Sequence, residues 1–114
     1  GLVMEEMRYL DREHFRILML DSRKRLLAMK DVAIGDLGSA LVHPRELFKE
    51  CIKRSCASAI LVHNHPSGDP TPSAEDLALS RRLRRAGKLL GIEVLDHIIV
   101  GDNSYVSFKD MRLF

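Results

Sequence analysis

His63 and His65 stand one residue apart at the end of the apolar run "SAILV". Residues i and i+2 of a β-strand point the same way, so two imidazoles at a strand end offer nitrogen donors on one side. That arrangement suits two ligands of one metal. A catalytic zinc takes three protein ligands and leaves a fourth position open for water, so one more ligand must come from elsewhere. Asp76 is the candidate. After the Pro- and Gly-rich stretch "PSGDPTP", Ser73 and Asp76 occupy the N-cap and N3 positions of a helix whose start faces back toward the strand end. Ser-x-x-Asp is also close to a capping box, in which the serine accepts from the N3 amide, so both residues have a purely structural reading. A lone His-x-His is likewise commonly incidental. The conjunction of same-facing histidines, a loop able to fold back and an acid on the returning helix is what points to a metal.

The elements that must position these groups follow from periodicity. "FRILML" (15–20) and "RLLAMKDVAI" (25–34) flank the turn candidate Asp21-Ser22-Arg23-Lys24 and read as an antiparallel hairpin. A short apolar "ALV" (40–42) is an optional strand, and His43-Pro44 places Pro in a first helical turn. "RELFKECIKRSCA" then sets Leu47 or Phe48, Cys51, Ile52 and Ser55 at helical spacing. Residues 58–62 form an inner strand buried on both faces. A long helix from Ser73 to about Leu90 carries the stripe Leu79, Leu83, Ala86, Leu90 and stops at Gly91. Strands over 92–100 and 105–108 complete the order β-β-(β)-α-β-α-β-β. The expected fold class is α/β, a mixed β-sheet packed with two main helices. Residues 1–10 are expected to be the remnant of a connection, a linker or a short helix, and 11–114 the domain.

The chain has 114 residues, enough for about one domain. Its apolar content of 46% and charged content of 30% are ordinary for a soluble globular protein. No apolar run approaches the roughly 18 residues of a membrane span, and no segment resembles a secretion signal. A net charge of +2 is too small to imply nucleic acid by itself. Cys51 and Cys56, five apart in an expected helix, point roughly 140° apart, which argues against a disulfide and for buried thiols in a reducing cytoplasm. Gly1 in place of an initiator Met is the expected start of a piece cut from something longer.

His63-x-His65-Pro66 followed by Ser73-x-x-Asp76 resembles the H-x-H-x7-S-x2-D signature of JAMM (MPN-plus) metalloproteases. The longer string "LVHNHPSGDPTPSAEDLALSRRLRRAGKLLGIEVLDHIIVG", with "DREHFRILMLDSRKRLL" and "LVHPRELFKE", is similar to the C-terminal domain of bacterial RadC proteins, from about Leu10 to Phe108. Such proteins usually carry an N-terminal helix-hairpin-helix region, which this sequence lacks. The resemblance implies a JAB/MPN (cytidine deaminase-like) sandwich and a zinc hydrolase acting on a peptide or isopeptide amide. It implies His63, His65 and Asp76 as zinc ligands and Ser73 as a donor to the oxyanion. It also implies an upstream glutamate as general base, for which Glu13 is the positional match and Glu46 the fallback. The substrate would be an unknown protein or peptide.

Other features carry less. Ser67 and Asp69 are expected to make turn hydrogen bonds, and Asn64 lies beside them. His97, in "LDHIIV", reads as a satisfied core or edge group, and His14 and His43 as less notable still. Arg81, Arg82, Arg84, Arg85 and Lys88 form a basic helical stretch that reads first as a solvated face and second as an approach to phosphates. The letters "HNH" do not make a nuclease, whose residues are dispersed through a ββα element. A zinc deaminase would require H-x-E and P-C-x-x-C, neither of which is present. The alternative from another class is a DNA-repair-associated accessory module with a structural or vestigial metal site, in which DNA as the partner is implied only by the family name.

Overall fold

The computed structural model describes residues 2–8, 10–35 and 42–114. Among them the elements run α1 (Leu2–Met7), β1 (Glu13–Leu20), β2 (Leu26–Gly35), α2 (Pro44–Lys53), β3 (Ser58–Asn64), α3 (Ala74–Leu90), β4 (Glu93–Val100) and β5 (Tyr105–Ser107). The strands form one sheet in the order β2-β1-β3-β4-β5, parallel only between β3 and β4. This is the expected mixed α/β architecture. Of the optional strand at 40–42, residues 40 and 41 lie outside the described residues, and Val42 is not in a strand.

Alternation along the inner strands gives the sheet two apolar faces. Phe15, Ile17 and Met19 of β1 and Ala59 and Leu61 of β3 pack with Leu47, Phe48 and Cys51 of α2 and Leu83 of α3. The neighbouring positions, Leu18, Ile60, Val62, Ile98 and Val100, turn to the other face, where Met7 of α1 covers them. His63, an odd-numbered position of β3, therefore shares the face that α3 covers.

Three local expectations are corrected. Ile52 and Leu90 are exposed, while Ser80 and Gly87 sit on the buried side of α3. At Gly87 a Cβ would lie 2.4 Å from the Ile92 carbonyl oxygen and 3.1 Å from the Phe48 ring, so only glycine permits this approach. Helix α2 ends at Lys53, Ser55 takes a left-handed φ of 53°, and Cys56 returns so that its N–H donates to the Cys51 carbonyl. The two cysteines are thereby brought together rather than left divergent. Both are free and buried, and burial, with Cys56 alongside, pushes the Cys51 thiol far up. Among the described residues no helix is long and apolar enough to cross a membrane.

Candidate metal centre

β3 pairs antiparallel with β1, placing His63 opposite Phe15. Continuing that register brings Glu13, two residues before Phe15, beside the place the chain reaches after His63. Beyond Asn64 the strand ends and the chain turns: the His65 N–H donates to the Val100 carbonyl and the Gly68 N–H to the His65 carbonyl. The loop lies against the β4–β5 turn, where a Cβ on Gly101 would come within 2.3 Å of the Gly68 oxygen. As expected of turn residues, Asp69 accepts from the Thr71 N–H at 3.0 Å, and its own N–H donates to Ser67 Oγ at 3.4 Å. Helix α3 then starts with a complete capping box: Ser73 Oγ accepts from the Asp76 N–H at 3.0 Å, and the Ser73 N–H donates to Asp76 Oδ2 at 2.9 Å. The structural reading of these two residues is therefore real. It does not use up their chemistry.

His63 Nε2 lies 3.1 Å from His65 Nε2 and 3.3 Å from Asp76 Oδ1, and His65 Nε2 lies 3.1 Å from Asp76 Oδ2. Glu13 Oε1 is 3.6 Å from His63 Nε2, and donor atoms of all four residues fall within 4.8 Å of one another. Glu46 is exposed beside Arg45, and His14 and His43 are likewise outside the group. His14 Nδ1 faces Asp31 at 3.0 Å. The arrangement passes a geometric test for zinc. A tetrahedron with about 2.0–2.1 Å from centre to vertex has edges of about 3.3–3.4 Å, close to the separation of the two imidazole nitrogens and to that of each from its nearer Asp76 oxygen, Oδ1 for His63 and Oδ2 for His65.

Protonation gives a second test. His65 Nδ1 faces the Asp69 carbonyl oxygen at 2.9 Å; that oxygen only accepts, so Nδ1 carries the hydrogen. A neutral His65 then turns its Nε2 lone pair toward the Asp76 carboxylate, and acceptor faces acceptor. A positive charge must stand between them, either a proton or a metal. Accordingly the Asp76 hydrogen bond raises the His65 pKa, against the opposing effect of burial. Burial would raise Asp76 too, yet hydrogen bonds from His63, His65 and the Ser73 N–H hold it far below the usual carboxylate range. Glu13 moves the other way: burial pushes it up, and the two histidines only partly offset this. Its Oε2 is buried with no hydrogen-bond partner among the described residues.

The stability consequence has opposite signs for the two shifted partners. The raised His65 contributes stability below about pH 6.5 and loses it as pH rises through its folded value. The depressed Asp76 contributes above about pH 3.9 and loses it in stronger acid. The metal-free chain is thus expected to be most stable in mild acid, between those limits. Because zinc must displace the His65 proton, its affinity is expected to rise about tenfold per pH unit until that proton is gone. Zinc titrations across this range check it, and an affinity flat with pH would count against the assignment.

Two residues near the cluster were not assigned to it by the sequence. Asn64 is buried and points to the opposite face from His63. Its Oδ1 accepts from the His14 N–H at 2.7 Å and its Nδ2 donates to the Arg12 carbonyl at 2.9 Å, so it grips the backbone on both sides of Glu13. Asn64→Ala is expected to cost about 1–3 kcal/mol by leaving these groups unpaired, while zinc affinity stays near that of the unaltered chain. Denaturant unfolding with a parallel zinc titration measures both, and an unchanged unfolding midpoint would contradict the clamp. His97 is the other: its Nε2 lies 2.7 Å from His63 Nδ1, on the side of the ring away from the cluster.

Comparison with known proteins shows the family. A family profile described as the RadC-like JAB domain matches residues 1–113. A UPF0758 protein of Desulforudis audaxviator is 60% identical over 114 residues, covering 100% of this chain and 50% of the relative. One from Syntrophomonas wolfei is 61% identical over 108 residues, 95% of this chain and 46% of its own length. One from Desulfitobacterium hafniense is 60% identical over 109 residues, 96% and 48% respectively. The chain spans about half the length of the curated relatives it matches.

Proposed function

Given that the chain belongs to the RadC-like JAB domain family, we propose that it is a zinc-dependent hydrolase of JAMM type that cleaves a peptide or isopeptide amide. The observation that carries this reading is the convergence of His63 Nε2, His65 Nε2 and the Asp76 carboxylate, whose Oδ1 lies 3.3 Å from His63 and whose Oδ2 lies 3.1 Å from His65, with the buried Glu13 carboxylate next to them. The donor chemistry, two imidazoles and a carboxylate, suits zinc. Held by these three residues, zinc would supply Lewis acidity that lowers the pKa of its water toward about 7.

The chain's own residues would do the rest. Glu13, 3.6 Å from His63 Nε2 and without a fixed partner on Oε2, accepts the proton of the attacking water. As the C–N bond breaks, Glu13 returns that proton to the leaving nitrogen, closing the proton balance. Ser73 Oγ is already an acceptor for the Asp76 N–H, which leaves its O–H hydrogen to donate to the oxyanion of the attacked carbonyl. His65, tied by Nδ1 to the Asp69 carbonyl, keeps Nε2 aimed at the cluster. A cytoplasmic setting is part of the proposal, supported by the two free buried cysteines.

The test is a peptide library that includes lysine-linked isopeptides, incubated with zinc-loaded chain and read by mass spectrometry. Cleavage that a chelator abolishes and zinc restores is expected, and no cleavage by fully loaded protein would reject the activity. A second reading, a DNA-associated module, rests on the exposed Arg81, Arg82, Arg85 and Lys88 and on an open groove of about 610 Å³ lined in part by Arg84, Arg85 and Lys88. Salt-sensitive DNA binding lost on replacing Arg81 and Arg82 would favour it.

A further inference from the structure

His97 is fully buried. It stacks on Phe108 with ring centroids 4.5 Å apart and meets the edge of Phe15 at 5.4 Å. Parallel pairing of β3 with β4 sets it opposite Leu61 and diagonal to His63. Its Nε2 lies 2.7 Å from His63 Nδ1, and its own Nδ1 is buried with no hydrogen-bond partner among the described residues. A wholly apolar residue would fill this pocket at lower cost, because an unpaired buried polar atom is unfavourable. The imidazole here needs another reason.

Between the two facing nitrogens there is room for one hydrogen. If it belongs to His97, His63 Nδ1 is an acceptor and a neutral His63 carries its hydrogen on Nε2, which blocks the nitrogen that faces His65 and Asp76. If it belongs to His63, Nδ1 donates to His97 and the Nε2 lone pair is free to coordinate. We propose that His97 is the positioning residue of the metal centre: by accepting the His63 Nδ1–H it fixes the tautomer and ring plane that direct Nε2 to the metal. This rests on the zinc reading above. The cost is that His97 keeps its own hydrogen on Nδ1, the atom without a partner. The orphaned nitrogen and the short contact are then two sides of one arrangement. Carboxylates and carbonyls commonly accept from metal-bound histidines, and here a neutral imidazole takes that place.

The test compares His97→Phe and His97→Gln with the unaltered chain, using a chelating dye for zinc affinity and thermal unfolding of the metal-free protein. Phe can keep the ring contacts with Phe15 and Phe108 but accepts nothing, and it must shift because carbon cannot approach His63 Nδ1 to 2.7 Å. His97→Phe is expected to stay folded, more stable than His97→Gln, and to bind zinc about 10–100-fold more weakly than the unaltered chain. The terminal amide of Gln reaches the place of Nε2, so His97→Gln is expected to be less stable yet to recover most of the affinity. The orders of stability and affinity should therefore cross, which a purely structural role would not produce. Equal zinc binding by His97→Phe and the unaltered chain would overturn this inference alone, as would a His97→Gln variant no better than His97→Phe. A His97→Phe chain that cannot fold would also overturn it, since the role would then be structural. An unaltered chain that binds no zinc would remove the metal reading and this inference together.

Discussion

With Asp76 changed to Asn, zinc affinity is expected to fall by more than about 100-fold, beyond the loss typical of removing a group that merely supports a ligand. The substitution isolates the metal role from the cap. Asn keeps an oxygen that can accept from the Ser73 N–H, and its backbone N–H still donates to Ser73 Oγ, so the capping box survives in form. What disappears is the negative charge of the carboxylate, whose Oδ1 lies 3.3 Å from His63 Nε2 and whose Oδ2 lies 3.1 Å from His65 Nε2. The fold should persist, because Asp76 lies at a helix start outside the apolar cluster of Leu47, Phe48, Leu61 and Leu83. Calorimetric zinc titration alongside thermal unfolding measures both effects. Undiminished affinity, or collapse of the variant's fold together with no metal bound by the unaltered chain, would leave the capping box as the whole explanation.

Glu13→Gln is expected to do the reverse: retain zinc within a few-fold and reduce hydrolysis by about 10²–10⁴-fold, the contribution of a positioned general base. Gln preserves the size of the side chain next to His63 but cannot take up a proton. The raised pKa of Glu13, caused first by its burial, favours this role, since a base is most effective when its pKa approaches the working pH. Single-turnover hydrolysis on zinc-loaded protein is the relevant readout. Activity unchanged in Glu13→Gln would remove Glu13 from the mechanism, and loss of zinc in that variant would make it a ligand instead.

The parts of the site legible in the sequence were those fixed by local geometry. The strand period placed His63 and His65 on one side, and Ser-x-x-Asp marked the helix start that delivers Asp76. Spacing alone left Glu13 and Glu46 unresolved, because their difference is made by non-local pairing. Only the antiparallel register of Phe15 with His63 puts Glu13 at the cluster, while Glu46 stays on the exposed start of α2. His97 was illegible as a partner of His63 for the same reason. The register between β3 and β4 slips between Ala59 and Ile60, and no single-strand pattern reveals which residues then lie diagonal. Asn64 was hidden differently: its role is to hold backbone groups near residue 13, and nothing in a side chain's type names such a distant target. Hydrophobic periodicity also misjudged α3, where close packing against Phe48 selects Gly87 over the larger Leu90.

Which atoms hold the metal is read directly by X-ray absorption at the zinc edge of the loaded 114-residue chain. The prediction is one zinc per chain with two imidazole nitrogens and oxygen neighbours at about 2.0–2.2 Å and no sulfur, the imidazole signal falling to one ring in His65→Ala. A zinc bound through sulfur at about 2.3 Å, which would point to Cys51 and Cys56, or a spectrum unchanged by His65→Ala, would contradict it.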